Sequence, residues 1–377
     1  MFDGWLQRGP PSSRAHATRE RTAEAQLASK DIIVVGGSAG GVEALKTLVS
    51  SLPSGLQAAV LVVIHIPPSS PGRLPEILQR HANVRVAWAK DEQRIECGRV
   101  YIAPPDRHLV VDDGRVRLTR APRENHTRPA IDPLFRSAAL AYGPRVIGVI
   151  LSGRLDDGTA GLWAVKERGG TTVVQSPGDA AQPDMPRNAL EHTEVDYIVP
   201  CAQIGALLAQ LVAERAHDTA APVSSALALE VKIAMEANAL RHGVMSLGPT
   251  TPYTCPDCHG VLVRVDQGGI PRFRCHTGHA FAMDSLLAAM TDSVESALWS
   301  ALRSVEESIL LLREAAVRER SADGGTGAID PRFEQKMNEA EQRAELVRDA
   351  VLRHQALSLE LVRASAPAPE HDGVALG

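Results

Sequence analysis

The 377-residue sequence has few cysteines, no long hydrophobic run and no excess of basic residues. Five unevenly spaced cysteines are too few for a disulfide scaffold and favour a reducing compartment. No apolar stretch reaches the ~20 residues that span a bilayer, and the polar start MFDGWLQRGPPSSRAHATRE lacks a signal peptide's apolar core. Lys and Arg number 40 against 45 Asp and Glu, which argues against nucleic-acid binding. These absences predict a cytoplasmic protein without membrane insertion.

Two phosphate-binding glycine patterns are also missing, although the sequence has a conspicuous Gly-rich turn. The segment IIVVGGSAGG (32–41) is a β-branched run that ends in a turn carrying Ser38 and precedes an amphipathic helical stretch. G-x-G-x-x-G fails because Ser38 and Ala39 stand where glycine is needed, and G-x-x-x-x-G-K-[ST] is absent. Since ligands of open α/β sheets bind beyond the strands' carboxyl ends, the turn is predicted to expose a nucleophile or hold an anion.

Two further apolar runs end on the partners that a nucleophilic serine needs. AVLVVIH ends at His65, and VIGVILSG leads into Asp156 and Asp157. A serine hydroxyl requires an adjacent base, which is itself oriented by a third group. From the residues alone, His65 as a structural side chain and Asp157 as a helix cap remain alternatives.

The motifs GGSAGG, VIHIPP, YIAPPDRH, RPAIDPLF, ILSGRLDDG and QSPGDAAQPDMPRNAL occur in one order between about residues 31 and 211. In this order they resemble the catalytic domain of CheB, the bacterial chemotaxis protein-glutamate methylesterase. The resemblance implies that Ser38 is the nucleophile, His65 the general base and Asp157 the acid behind the histidine. Asp156 is then a solvated neighbour or a cap.

The sequence departs from the family pattern around the oxyanion pocket. Ala39 replaces the threonine that usually follows the nucleophile, and residues 152–155 (Ser-Gly-Arg-Leu) replace Thr-Gly-Met-Gly. Ala39 and Arg154 are the candidates for this pocket. His108, His126 and His192 are interpreted as surface or structural groups. The resemblance places Arg128 and Asp132 where the family forms part of its active-site wall, but a salt bridge is the preferred interpretation for both.

A compact cysteine and histidine cluster lies in the C-terminal half. Cys255 and Cys258 form C-x-x-C, and Cys275 and His279 form C-x-x-x-H, the paired spacing of tetrahedral structural zinc sites. His276 and His259 are alternatives to His279. The segment between the pairs is predicted to be a β-hairpin, so a zinc-ribbon-like module with structural zinc is expected.

The chain divides into six predicted regions: a mobile tail (1–30), a catalytic region (31–212), a linker with a helical segment (213–250), a zinc-ribbon-like module (251–283), a helical hairpin (284–365) and a C-terminal tail (366–377). Strand and helix patterns alternate over 31–212, which predicts an α/β fold with a doubly wound, mainly parallel sheet and helices on both faces. Asp113-Gly114 predicts one β-hairpin within it. The apolar stripes of the helical hairpin leave two alternatives, which are packing against each other, or partner binding and self-association with a second copy.

The resemblance implies hydrolysis of glutamyl methyl esters, and deamidation of glutamine, on a methylated chemoreceptor-like protein, with no cofactor for catalysis. The family commonly carries an N-terminal receiver domain, which residues 1–30 are too short to hold. Two alternatives remain. One is a non-catalytic signalling scaffold. The other is an α/β hydrolase of another ester: residues 36–40 meet G-x-S-x-G, but the histidine precedes the aspartate, against the usual order.

Overall fold

The structure is a computed structural model that describes residues 29–70, 72–216, 221–322 and 329–355. The described residues form two compact units. The first unit runs to Ala121 and adds Arg128–Arg154 and Gly158–Ala237, and the second combines Pro122–Thr127, Leu155–Asp157 and the chain from Asn238. The predicted tail over 366–377, and all but the last two residues of that over 1–30, lie outside the described residues.

A parallel sheet forms the centre of the first unit, and its strands in chain order are β1 (Ile32–Gly37), β2 (Ala59–Ile64), β3 (Arg85–Trp88), β4 (Arg99–Ile102), β7 (Val146–Ile150), β8 (Thr171–Gln175) and β9 (Tyr197–Val199). Their order in the sheet is β3-β4-β2-β1-β7-β8-β9, so β1 lies between β2 and β7. The other two strands, β5 (His108–Asp112) and β6 (Arg115–Thr119), form the hairpin predicted around Asp113-Gly114. Positive φ at both turn residues, 42° and 72°, matches a two-residue hairpin turn.

Helices cover both faces of this sheet, as predicted: α1 (Gly41–Ser51), α2 (Leu74–Gln79), α3 (Ile131–Tyr142), α4 (Thr159–Glu167), α5 (Asp184–His192), α6 (Cys201–Ala213) and α7 (Ser225–Glu236). Successive strand side chains point to opposite faces. Ile33 and Val35 therefore pack in one cluster with α1, α2 and α6, whereas Ile32 and Val34 pack in the other with α3, α4, α5 and α7. Every residue of β1, β2 and β7 is buried, which explains why these three strands carry no polar side chain.

The strand order places three loops at one edge of the sheet. Gly37, the last residue of β1, pairs with Ile64 of β2, and Gly36 pairs with Ile150 of β7. Because these strands are parallel, the loops that follow them begin side by side. The crossover direction changes between β1 and β7, which is the usual ligand position in a doubly wound sheet.

The second unit contains a four-stranded antiparallel sheet and two long helices: β10 (Thr250–Thr254), β11 (Val261–Gln267), β12 (Ile270–Cys275), β13 (Ala280–Ala282), α8 (Met283–Ala322) and α9 (Pro331–Leu352). The β11–β12 pair is the predicted hairpin between the cysteine pairs. The helices form the predicted antiparallel hairpin, in which Leu302, Ile309 and Ala316 are buried at the seven-residue spacing of a coiled-coil seam. The predicted end of this hairpin at 365 lies outside the described residues, and α9 itself ends at Leu352.

The compact units differ from the predicted regions in two places. Residues 122–127 and 155–157, both expected in the catalytic region, belong to the second unit, where their side chains make hydrogen bonds. Helix α7, expected in a linker, belongs to the first unit because Leu227 and Val231 are buried in its core. Within the described part of the chain, no helix is long and apolar enough to cross a membrane.

Candidate active site and metal-ligand cluster

Ser38 lies in a tight turn between β1 and α1. Its N–H donates to the Ser152 carbonyl oxygen at 2.9 Å, and its carbonyl oxygen accepts from the Gly41 N–H at 2.8 Å. Gly40 has a φ of 76°, and a Cβ there would lie 2.6 Å from Ser152 Oγ. The turn therefore requires glycine at this position both for its backbone conformation and for space.

Ser152 holds the nucleophile turn from the loop after β7. Its Oγ donates to the Ala39 carbonyl oxygen at 2.8 Å and accepts from the Gln182 N–H at 2.9 Å. Its own N–H donates to Gln175 Oε1 at 2.9 Å. The side chain is 1% exposed, so these bonds form away from water. Sequence reasoning treated Ser152 only as a departure from the family's threonine and missed this role, which a hydroxyl at that position makes possible.

Gly153 allows the loop after β7 to approach the serine. A Cβ at Gly153 would lie 3.0 Å from Ser38 Cβ and 2.6 Å from Met185 Cε. The Gly153 N–H donates to the Gln182 carbonyl oxygen at 3.0 Å, and its carbonyl oxygen accepts from the Met185 N–H at 3.0 Å. These bonds fix the loop against the start of α5.

His65 follows β2 and lies beside the serine. Its N–H donates to the Gly37 carbonyl oxygen at 3.2 Å, and its Nδ1 lies 3.1 Å from Ser38 Oγ. The side chain is half-buried. A histidine nitrogen at this distance can take the hydroxyl proton as the oxygen attacks a carbonyl carbon. The structure thus brings two of the three predicted triad residues into hydrogen-bond contact.

The two predicted oxyanion candidates lie in the loops that meet at Ser38. Neither the Ala39 N–H nor the Arg154 N–H has a backbone acceptor among the described residues, whereas the Ser38 and Gly153 N–H groups are already bonded. The Arg154 side chain is exposed, and its Nε donates to Gln182 Oε1 at 3.3 Å. Stabilisation of an oxyanion requires main-chain donors that are not already bonded in this way.

Asp156 and Asp157 both belong to the second unit and are both buried. Asp157 Oδ1 accepts from Asn125 Nδ2 at 2.8 Å. Asp156 Oδ1 accepts from Ser285 Oγ at 2.6 Å, and its Oδ2 accepts from the Asp284 N–H at 3.2 Å. Asp156 therefore caps the first turn of α8, which matches one of its two predicted roles and not that of a solvated neighbour. Sequence reasoning missed Asn125, which no motif in the chain marks.

The remaining polar candidates make structural contacts. His108 is fully buried, and its Nδ1 accepts from the Ala130 N–H at 3.2 Å. Arg128 and Asp132 each form a salt bridge, but not with each other. Arg128 Nε donates to Asp106 Oδ1 at 2.9 Å, and Asp132 Oδ2 lies 3.7 Å from Arg136 Nη1. Hydrogen bonds from Arg120 and Arg128 lower the pKa of Asp106 to about 2.

The four predicted metal ligands converge in the second unit. One ligand atom each of Cys255, Cys258, Cys275 and His279 lies within 4.8 Å of all the others. Cys258 Sγ lies 3.6 Å from Cys275 Sγ, and His279 Nδ1 lies 3.7 Å from Cys255 Sγ and 3.6 Å from Cys275 Sγ. Tetrahedral bonds of about 2.0–2.3 Å to a central ion require ligand separations of this size.

The surroundings of the cluster favour His279 over the alternatives His276 and His259, whose side chains are exposed. Asp257 Oδ2 lies 3.9 Å from His279 Nε2, on the side of the ring opposite the sulfurs, where carboxylates orient metal-bound histidines. Contact with Cys275 raises the pKa of His279 to about 9. Hydrogen bonds with Cys255 and, to a smaller extent, with His279 hold the pKa of Cys275 well below that of an ordinary thiol. The low pKa favours the thiolate, which is the form that binds metals.

Comparison with known proteins identifies the family of the region that contains Ser38 and His65. Residues 33–208 match the family model described as CheB methylesterase. A Leptospira interrogans protein with the provisional name protein-glutamate methylesterase/protein-glutamine glutaminase is 40% identical over 182 residues, which cover 48% of this chain and 94% of that protein. A protein-glutamate methylesterase/protein-glutamine glutaminase of Anaeromyxobacter dehalogenans is 37% identical over 193 residues, and the match covers 51% of this chain and 57% of that protein.

Among solved structures, the crystal structure of the Thermotoga maritima CheB methylesterase catalytic domain matches with 34% identity and a TM-score of 0.47. The match covers 48% of this chain and 98% of that domain. The matched half of the chain contains the nucleophile turn, and the metal-ligand cluster lies beyond it.

Proposed function

Because the chain belongs to the CheB methylesterase family, we propose that it hydrolyses glutamyl methyl esters on a chemoreceptor-like protein. The observation that carries the proposal is the 3.1 Å contact between Ser38 Oγ and His65 Nδ1 at the sheet edge. The names of the relatives include glutaminase, so deamidation of glutamine is proposed as a second reaction of the same site.

The first half of the reaction forms an acyl-enzyme. His65 Nδ1 takes the Ser38 proton while Oγ attacks the ester carbonyl carbon. For Nδ1 to accept this proton, the neutral ring carries its hydrogen on Nε2. We assign the Asp157 carboxylate to stabilise the imidazolium that forms, as the acid does in Ser-His-Asp sites.

The Ala39 and Arg154 N–H groups are proposed as donors to the tetrahedral oxyanion. Pre-oriented main-chain donors stabilise charge that appears only in the transition state, and the loss of one such donor typically costs about 10²–10³-fold in rate. The tetrahedral intermediate collapses as His65 returns the proton to the leaving methoxide, and methanol departs. His65 then takes a proton from water, and hydrolysis of the Ser38 ester releases glutamate. With glutamine, ammonia leaves instead.

We propose structural zinc for the cluster of Cys255, Cys258, Cys275 and His279. Three sulfurs and one imidazole suit Zn²⁺, and four protein ligands complete a tetrahedral shell with no position for water. The donor separations and the carboxylate behind His279 support this set. Bound zinc would fix the β11–β12 hairpin and its neighbours. No catalytic step passes through this site.

The proposal is tested by methanol release from a methylated chemoreceptor, with wild-type protein beside S38A and a panel of small esters. Release from the receptor by wild-type protein alone supports it. Turnover of small esters without receptor turnover supports a hydrolase of another ester. Receptor binding without any turnover supports a signalling scaffold.

A further inference from the structure

A tight turn over residues 124–127 presents Asn125 within the second unit. The Glu124 N–H donates to the Thr127 carbonyl oxygen at 3.3 Å, and the Thr127 N–H donates back at 3.0 Å. Asn125 and His126 between them have φ values of 49° and 63°. Two left-handed residues define a type I′ turn, where asparagine is favoured. The Asn125 side chain is thereby fixed, and the residue is 6% exposed.

Asn125 connects strand β13 to Asp157. Its main-chain N–H donates to the Ala280 carbonyl oxygen at 2.7 Å, and its Oδ1 accepts from the Ala282 N–H at 2.8 Å. Its Nδ2 donates to Asp157 Oδ1 at 2.8 Å. Rotation of the Asn125 amide by 180° would place its NH₂ group against the Ala282 N–H, which is donor against donor. It would also place its Oδ1 against Asp157 Oδ1, which is acceptor against acceptor. The bond to β13 therefore directs the NH₂ group at the carboxylate.

The same turn is joined to the hairpin that carries the metal ligands. Arg274 Nη2 donates to Glu124 Oε1 at 2.9 Å, and both side chains are almost fully buried. Arg274 Nη1 also donates to the Gly278 carbonyl oxygen at 2.8 Å. Arg274 precedes the ligand Cys275 in the chain, and Ala280 follows the ligand His279. The β12–β13 segment thus fixes both the metal ligands and the turn.

Asp156 provides a second attachment next to Asp157. Its carboxylate accepts from Ser285 Oγ and from the Asp284 N–H, both in the first turn of α8. A helix N-terminus favours a carboxylate because its N–H groups are unpaired and its dipole is positive there. Segment 155–157 is therefore held by α8 directly at Asp156 and by β13 through Asn125 at Asp157. Both α8 and β13 lie beyond the matched family region.

We infer that Asn125 is a positioning residue for the catalytic carboxylate, and that β13 and the first turn of α8 support the esterase reaction through Asn125 and Asp156. The inference rests on the proposed function, in which Asp157 is the triad acid. The reason that it affects the rate is geometric, since a displacement of about 1 Å in a catalytic group can cost ~100-fold.

The test is the N125D variant. Aspartate suits the left-handed turn and keeps an oxygen for the Ala282 N–H, but it replaces the donor to Asp157 with a second carboxylate. We expect kcat to fall about 10–100-fold, with KM little changed because the buried side chain does not reach the substrate. The acid limb of the kcat–pH profile should move to higher pH, since adjacent carboxylates resist ionising together. A loss of stability alone would not move that limb.

Two further variants complete the experiment. N338D makes the same chemical change at an exposed asparagine of α9 and should keep the wild-type kcat and pH profile. N125G suits the φ of 49° and removes the amide without adding charge, so it decides the matter if N125D does not fold. It should lower kcat and move the acid limb less than N125D does, because it removes a donor to Asp157 without adding a carboxylate. It should cause no further loss when added to D157N.

Folded N125G that keeps the wild-type kcat, beside an impaired D157N, would overturn the inference and leave the proposed function intact. A D157N variant with the wild-type kcat would instead remove Asp157 from the triad and contradict the proposed mechanism itself.

Discussion

Ser38 and His65 follow strands that are neighbours in the sheet. For this reason Ser38 Oγ and His65 Nδ1 lie 3.1 Å apart although the residues are 27 positions apart in the chain. We expect S38A and H65A each to lower kcat by about 10⁴-fold or more, and the double variant to be no worse than either, because nucleophile and base act as one unit. Steady-state methanol release measures this, with thermal unfolding as the check on folding. Losses that multiply in the double variant would contradict the pairing.

The two adjacent aspartates offer a matched comparison. D157N should lower kcat much more than D156N. Asparagine at 157 removes the negative charge that is proposed to stabilise the His65 imidazolium, whereas asparagine at 156 can still cap the helix. Both changes preserve side-chain shape. Kinetics of the two variants under the same conditions test the assignment, and a larger loss in D156N would contradict the assignment of Asp157 as the acid.

Sequence reasoning at the residue scale found the side chains that follow long apolar runs. It placed Ser38 and His65 together because a run of β-branched residues predicts both a strand and the position where the strand ends. It did not find the roles of Ser152 and Asn125. Each is a single polar residue in a loop, and its side chain bonds to partners that lie more than 100 positions away or in another loop. No local pattern records such partners.

At the scale of elements, the zinc proposed for the cysteine cluster would constrain the β11–β13 sheet. C275S should lose the bound zinc, lower the thermal stability of the second unit and reduce kcat, because Ala280 of β13 bonds to the turn that carries Asn125. C97S is the control, since Cys97 is an exposed free cysteine of the first unit. Elemental analysis, thermal unfolding and kinetics measure the three effects. Zinc-free C275S with an unchanged unfolding profile would contradict the zinc proposal.

Elements with strong periodicity or turn chemistry were predicted from sequence. Strands β1, β2 and β7, the hairpin at Asp113-Gly114 and the β11–β12 hairpin all occur. Helix α5 was not predicted as a helix, because Pro183 and Pro186 and its polar composition hide the pattern. Tertiary contacts stabilise it, since Met185 and Ala189 are buried in the core.

At the scale of the molecule, the predicted division into a catalytic region and separate C-terminal modules differs from the compact units. Segments 122–127 and 155–157 join the chain from Asn238 because they bond to β13 and to α8. Sequence composition predicted a linker over 213–250, but α7 within it packs in the first unit. Composition likewise does not show which distant loops pack on a compact unit. Self-association through the C-terminal helices stays a prediction.

Removal of the chain after Ala237 should therefore lower kcat on both receptor and small esters, although all three proposed triad residues remain. The expected reason is that Asn125 and Asp156 lose their partners in β13 and α8. A chain ending at Gln355 is the control. Circular dichroism shows whether the shortened protein folds. A folded chain ending at Ala237 with the full rate would show that the C-terminal module has no part in catalysis.

The central claim is that Ser38 catalyses ester hydrolysis at methylated glutamates of a chemoreceptor-like protein. Its most direct test is mass spectrometry of receptor peptides after incubation with wild-type protein or with S38A at equal concentration. The account predicts that wild-type protein converts glutamyl methyl esters to glutamates at the methylated positions, and that S38A leaves them methylated. Methyl esters that persist with folded wild-type protein, or that disappear equally with S38A, would contradict it.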